Sequence, residues 1–112
     1  AGHFPFWLAP VQVGILPVAA AHEDYARRVE EQLKEKGIRT QYFDPNDSLG
    51  KRIREGEKLR INFLLVLGDK EAADNSLAVR DVKTKEQKSV PLAEFVTQSA
   101  EDVRTRKLES SY

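Results

Sequence analysis

Three short strand-like runs, each set apart from the next by an amphipathic helical stretch, constrain this chain more than any other feature. Val11 to Val18 reads Val-Gln-Val-Gly-Ile-Leu-Pro-Val, Ile38 to Phe43 forms a second run, and Ile61 to Leu67 reads Ile-Asn-Phe-Leu-Leu-Val-Leu. The first and third are nearly continuous in apolar character, which predicts strands buried on both faces. Between the first two, His22 to Lys36 places Tyr25, Val29 and Leu33 at every fourth position, with Ala26 beside them, one apolar stripe of a helix. Gly37 follows, where a left-handed residue ends a helix. Asp44 to Ser48 is turn and cap chemistry, and a second helix from about Leu49 to Leu59 turns Leu49, Ile53 and Gly56 inward. Gly56 inside a helix marks close packing or a bend. Strands joined through helices must pair in parallel.

The remainder changes character. Gly68 to Glu71 ends the third strand and opens a short helical turn. Leu77 to Val82 and Lys88 to Val90 read as two strands joined by the polar loop Lys83 to Gln87, an antiparallel hairpin. Pro91 starts a last helix, with Leu92, Phe95, Val96, Ser99 and Val103 facing the core. The predicted class is α/β, a mixed five-stranded sheet flanked by three main helices in the order β-α-β-α-β-β-β-α. One core suits 112 residues.

Few chemistries fit the residues. Without cysteine there is no disulfide and no thiolate metal site, which agrees with a cytoplasmic setting. No apolar run is long enough to span a membrane, so no membrane partner is expected. His3 and His22 lack neighbours at ligand spacing and read as bystanders, and no glycine-rich phosphate motif is present. Gly68-Asp69-Lys70 lies just after a strand, where α/β folds place ligand sites, but a single glycine is a weak signal. Catalysis within this chain is not expected. Zero net charge, with 18 basic and 18 acidic residues, argues against binding nucleic acid through bulk charge. The basic charge is local, in Lys51, Arg52, Arg54, Lys58 and Arg60. Asn46, Arg54, Arg60, Glu71 and Arg80 stand at strand ends and loop edges. A carboxylate accepts from the Watson–Crick edge of guanine, arginine donates to O6, N7 or phosphate, and asparagine does both. Single-stranded loops expose such edges.

Gly2-x-Phe4-Pro5-x-Trp7-Leu8-Ala9-Pro10-x-Gln12-Val13 resembles the segment that joins the catalytic core to the C-terminal anticodon-binding domain in threonyl-tRNA synthetases, class II synthetases. Gly37-Ile38-Arg39, Leu49-Gly50-x-Arg52-Ile53-Arg54-Glu55, Leu65-Val66-Leu67-Gly68-Asp69-Lys70-Glu71 and Leu77-Ala78-Val79-Arg80 resemble that family's later motifs, in order and with its spacing, to about Leu108. The resemblance implies residues 1–10 as a joint to a catalytic domain absent from this chain, 11–108 as the anticodon-binding domain and 109–112 as a frayed tail. Phe4, Phe6 and Trp7 are expected to pack as an apolar plug.

It further implies that the domain holds the anticodon loop of threonine tRNA, whose second and third letters are G and U, so that a catalytic domain charges it. The residues at the family's base-contacting positions are Asn46, Arg54, Arg60, Glu71 and Arg80. Glu71 and Arg80 are expected to read the guanine, Asn46 with Arg60 the uracil, and Arg54 to support the loop backbone. The parent would be a dimeric ligase using ATP, Mg²⁺ and a catalytic-domain Zn²⁺, with no cofactor in this chain. The family's Asp-Leu-Arg-x-Glu is here Phe43-Asp44-Pro45-Asn46-Asp47, a common lysine is Ser48, and a common proline is Asn62. Lys51 or Arg52 could supply the missing cation. A protein-interaction or accessory module without tRNA specificity is the alternative, and a small-ligand domain built on the Gly68 loop the third.

Overall fold

The computed structural model describes the backbone of residues 11–105 and the side chains of residues 11–101. Residues 1–10, read above as a joint with an apolar plug, and the tail 109–112 lie outside the described residues, as does the side chain of Val103.

Strand β1 (Val13–Pro17) leads through a single 3-10 turn (Ala20–His22) into helix α1 (Glu23–Glu35). Strand β2 (Thr40–Tyr42), helix α2 (Leu49–Lys58) and strand β3 (Phe63–Leu67) follow. The short helix α3 (Asp69–Asp74), strands β4 (Ser76–Asp81) and β5 (Gln87–Pro91) and helix α4 (Leu92–Thr105) complete the order. The sheet runs β2-β1-β3-β4-β5. β1 is parallel to β2 and β3, while β4 is antiparallel to both β3 and β5. This is the mixed five-stranded sheet with three main helices that the sequence predicts, with α3 as the one helical turn grown into an element.

The two sheet faces bury different cores. Val13, Ile15, Phe63, Leu65, Leu77 and Val79 meet Tyr25, Val29 and Leu33 of α1 and Phe95 and Val96 of α4 on one face. Phe63 and Phe95 touch edge to face, their centroids 6.0 Å apart. Tyr25 ties this layer together, its hydroxyl donating to the Ser76 carbonyl at 2.7 Å. On the other face Leu16, Phe43, Ile61, Leu64 and Val82 pack with Leu49 and Ile53 of α2. α2 lies close to the sheet because Gly56 has no side chain: a Cβ there would stand 2.6 Å from Leu64 Cδ2. Close packing, not a bend, explains that glycine.

Element ends depart from expectation for local reasons. α1 stops in a paired turn in which Gly37 N–H donates to Lys34 O and Ile38 N–H to Leu33 O, with Gly37 at φ +80°. β1 is two residues shorter than predicted at its start and one at its end. Gln12 is fully buried and spends its side-chain oxygen on the Arg39 N–H at 2.7 Å, and Val18 emerges to solvent. β2 keeps only three half-buried residues, as suits an edge strand. Pro91 closes β5 opposite Ser76 and does not open α4.

Candidate nucleic-acid interface

The C-terminal ends of β1, β2 and β3 point to the same edge of the sheet, the place where open α/β sheets build sites. α2 is anchored to this edge by one side chain. Arg52 is 3% exposed and donates to four carbonyls: Pro17 at 2.6 Å, Asp47 at 3.1 Å, Phe43 at 3.3 Å and Val18 at 3.4 Å. Burial pushes its pKa down from the ordinary arginine value, and the carboxylates of Asp47 and Asp44 oppose that shift. Arg52 therefore corrects the sequence reading. It is a clamp within the fold and not a spare cation for RNA. Ser48, standing where the family has a lysine, caps α2, its hydroxyl accepting from Lys51 N–H at 3.2 Å.

Helical spacing divides the flanks of α2. Lys51, Arg52 and Glu55 line a groove of about 440 Å³ with Gln41, Tyr42, Asp44 and Asp47 on the β2 side. Lys51 Nζ is also 3.4 Å from Asp47 Oδ1. The opposite flank, with Gly50, Ile53, Arg54 and Glu57, faces β3 and β4. Arg54 is exposed and lies back over Gly50, its Nη1 3.8 Å from the position a Cβ would occupy there. Lys51 thus stands on the other side of the helix from Arg54.

Beside that flank the sheet is uncovered. β4 and β5 turn Ala78, Arg80, Gln87 and Ser89 to the α2 side; Gln87 and Ser89 are exposed and Ala78 half-buried, so the sheet is open toward β5, while Arg80 lies against Glu57 of α2. Glu71 borders the strip at the upper edge. Its Oε1 accepts from Gly68 N–H at 2.7 Å, which fixes the carboxylate beside Val18 and leaves Oε2 as an acceptor. Arg80 sits lower, opposite Leu64 in β3 and Gln87 in β5. Leu64 and Gly68 are four residues apart, roughly 13 Å along the strand. Arg80 Nη2 is 3.6 Å from Glu57 Oε2, and the same oxygen is 3.1 Å from Lys85 Nζ. Arg80 Nε is buried without a hydrogen-bond partner.

Asn46 and Arg60 are not brought together. Asn46 precedes α2 on the upper edge, its N–H donating to Asp44 Oδ1 at 2.9 Å. Arg60 follows α2 in a left-handed conformation at φ +58°. The ten residues of α2 put about 15 Å of helix between them. The sequence reading overlooked Glu57 and Lys85, although Glu57 lies three residues from Arg54 on the same helical flank, a spacing that signals a shared face. His22, read as a bystander, is buried. Its Nδ1 accepts from Ala19 N–H at 3.2 Å, so Nε2 donates to Asp69 Oδ1 at 2.6 Å, joining the β1–α1 turn to the start of α3. No group of three or more His, Asp, Glu or Cys side chains that could hold a metal occurs among the described residues. No helix among them is long and apolar enough to cross a membrane.

Residues 12–101 match the family model of the anticodon binding domain. The chain is 45% identical to a threonine–tRNA ligase of Campylobacter lari over 101 residues, 90% of this chain and 17% of that protein. It is 40% identical to the threonine–tRNA ligase of Clostridium tetani over 111 residues, 99% of this chain and again 17% of the relative. The chain therefore spans about one-sixth of the length of these relatives. Among solved structures it superposes on the RNA binding domain of threonyl-tRNA synthetase from Cryptosporidium parvum with a TM-score of 0.84 and 29% identity, covering 98% of this chain and 27% of that one. A histidyl-tRNA synthetase from S. aureus shares the fold, with a TM-score of 0.73 at 19% identity over 83% of this chain and 24% of that one.

Proposed function

The chain belongs to the anticodon binding domain family, and from that premise we propose that it is the part of a threonine–tRNA ligase that holds the anticodon loop of threonine tRNA. The observation that carries the reading is the uncovered strip beside α2, bounded by the Glu71 carboxylate above and the Arg80 guanidinium below. An acceptor and a donor on either side of an open, flat surface suit a guanine lying edge-on. Glu71 takes the N1 and N2 hydrogens of the second letter, and Arg80 reaches O6 or N7. Asn46, at the upper edge, takes the third-letter uracil. The position of Arg60 at the far end of α2 favours a phosphate role for it over a share in the uracil. Arg54, exposed along the same flank, supports the loop backbone.

The ligase reaction itself belongs to a catalytic domain in the same parent chain, where ATP, Mg²⁺ and zinc would act. The parent is proposed to be a cytoplasmic homodimer. The domain's contribution is positioning: it ties the correct tRNA to the enzyme through letters far from the site of acylation.

The test is binding of this chain to the anticodon stem-loop of threonine tRNA. Changing the second letter from G to A is expected to weaken binding by about 10- to 100-fold, the worth of one base-edge contact. Glu71→Ala should lose affinity for the G-containing loop and no longer distinguish the two. Equal losses from changes at every anticodon letter would refute the guanine assignment.

A further inference from the structure

The tip of the β4–β5 hairpin is more rigidly built than a polar loop needs to be. Asp81 Oδ1 accepts from Lys83 N–H at 2.9 Å and Thr84 N–H at 3.2 Å, Asp81 O accepts from Lys85 N–H at 2.7 Å, and Glu86 O accepts from Asp81 N–H at 2.8 Å. Val82 pins the tip to the α2 core. It is 2% exposed, and its N–H donates to Asn62 O at 3.1 Å. Lys85 occupies the left-handed position of the turn at φ +67°, a place where glycine or asparagine serves with less strain. What lysine adds there is a charge. Its Nζ reaches Glu57, which also holds Arg80, so the hairpin tip and the C-terminal end of α2 form one continuous rim.

Lys58, Arg60, Lys83 and Lys85 are all exposed on this rim. The carboxylates facing them are Glu57, shared between Arg80 and Lys85, Asp81, engaged by backbone N–H groups, and Glu86. Positive charge therefore predominates at one end of a chain that is neutral as a whole. The rim continues the uncovered strip past Arg80, at the end opposite Glu71.

We propose that Lys83 and Lys85 of the hairpin tip, with Lys58 at the end of α2, form a phosphate-binding rim that grips the RNA backbone where it leaves the base-reading strip. This rests on the reading of the strip as an anticodon site. The rim anchors without reading sequence, as phosphate contacts do, and a preorganised tip holds its cations with little ordering on binding.

The experiment measures binding of the chain to the anticodon stem-loop of threonine tRNA across salt concentrations from about 50 to 200 mM. Lys85→Asn keeps a residue suited to the left-handed turn, so the fold is retained, and Lys83→Ala leaves the backbone bonds of the turn in place. Each is expected to weaken binding roughly 3- to 10-fold and to lower the salt slope by about one, with the ratio between G- and A-containing loops unchanged. Lys85→Arg should restore both affinity and slope. If affinity and slope survive in the Lys83→Ala, Lys85→Asn double variant, the rim is refuted while the anticodon reading stands. A lysine-dependent slope without discrimination at the second letter would support the rim and overturn the base-reading assignment. Absence of any binding at low salt overturns both.

Discussion

Replacing Gly56 by alanine sets two effects of similar size against each other, and the geometry decides between them. In a helix interior alanine is better than glycine by about 1 kcal/mol, so propensity alone predicts a more stable protein. Against this, the new methyl carbon would lie 2.6 Å from Leu64 Cδ2 and 3.1 Å from Leu64 Cδ1. Leu64 cannot retreat toward the sheet. Its Cδ2 is only 2.8 Å from where a Cβ on Gly14 would stand, so the leucine is already wedged between β1 and α2. Either α2 lifts or Leu64 leaves its rotamer, and overpacking of this kind costs about 1–3 kcal/mol. The expected net effect of Gly56→Ala is a destabilisation of about 1 kcal/mol, or a fall in Tm of roughly 4–8 °C for a domain of this size.

Urea unfolding of four proteins, the parent, Gly56→Ala, Leu64→Ala and the double variant, isolates the contact. Leu64→Ala alone leaves a cavity and is expected to cost about 2–5 kcal/mol. In the Gly56→Ala background part of that cavity is filled and the clash removed, so the second substitution should cost at least about 1 kcal/mol less. A Gly56→Ala variant that gains about the helix-propensity value, with additive behaviour in the double variant, would refute the close-packing explanation. RNA affinity is a second readout. α2 carries Arg54 on the flank facing the strip, so on the proposed reading lifting the helix should weaken anticodon binding more than lost stability alone explains.

Two other substitutions test how the site is held. Arg52→Met should destabilise the chain by about 3 kcal/mol, since four carbonyls lose their donor at once, and Arg52→Lys should recover only part of this, because a lysine cannot reproduce the guanidinium fork; chemical denaturation measures both, and a neutral Arg52→Met would show the clamp to be dispensable. Burial raises the Tyr25 pKa to about 12 from the ordinary tyrosine value of 10.0. The folded protein therefore keeps the phenol proton while the unfolded chain releases it. The stability from this group is complete below about pH 10 and drains away as pH rises toward 12. Tyr25→Phe should be less stable at neutral pH by about 1 kcal/mol through loss of the bond to Ser76 O, yet show a shallower alkaline decline in pH-dependent unfolding; an unchanged decline would remove Tyr25 as its source.

The layout of the sheet was legible because it follows from local patterns. Strand-like runs divided by helical stretches predict parallel pairing among β1, β2 and β3, and a polar loop between two short runs predicts a hairpin. What stayed hidden depends on contacts between distant segments. Arg52 looked like an exposed cation because its acceptors are backbone carbonyls that side-chain chemistry does not announce: Pro17 and Val18 end β1, Phe43 and Asp47 belong to the β2–α2 connection, and the two segments converge only when the strands end at one edge. Lys85 was unremarkable because its turn lacks the glycine that would mark a left-handed position. The juxtaposition of Glu57, Arg80 and Lys85 depends on the β3–β4 register together with the line of α2 across the sheet, and a one-residue slip would send Arg80 to the opposite face.

The same logic separates the residues that the family resemblance placed together. Asn46, Glu71 and Val18 follow the ends of β2, β3 and β1, so a parallel sheet gathers them at one edge without any further instruction. Arg60 and Arg80 lie toward the other end because α2 runs back along the sheet and β4 runs antiparallel to β3. An RNA loop touching both groups must cross the strip lengthwise. On the proposed reading its bases meet the Glu71 end and its backbone leaves over the basic hairpin. The proposed division of labour would also reconcile zero net charge with binding a polyanion, because charge is needed only where phosphates pass.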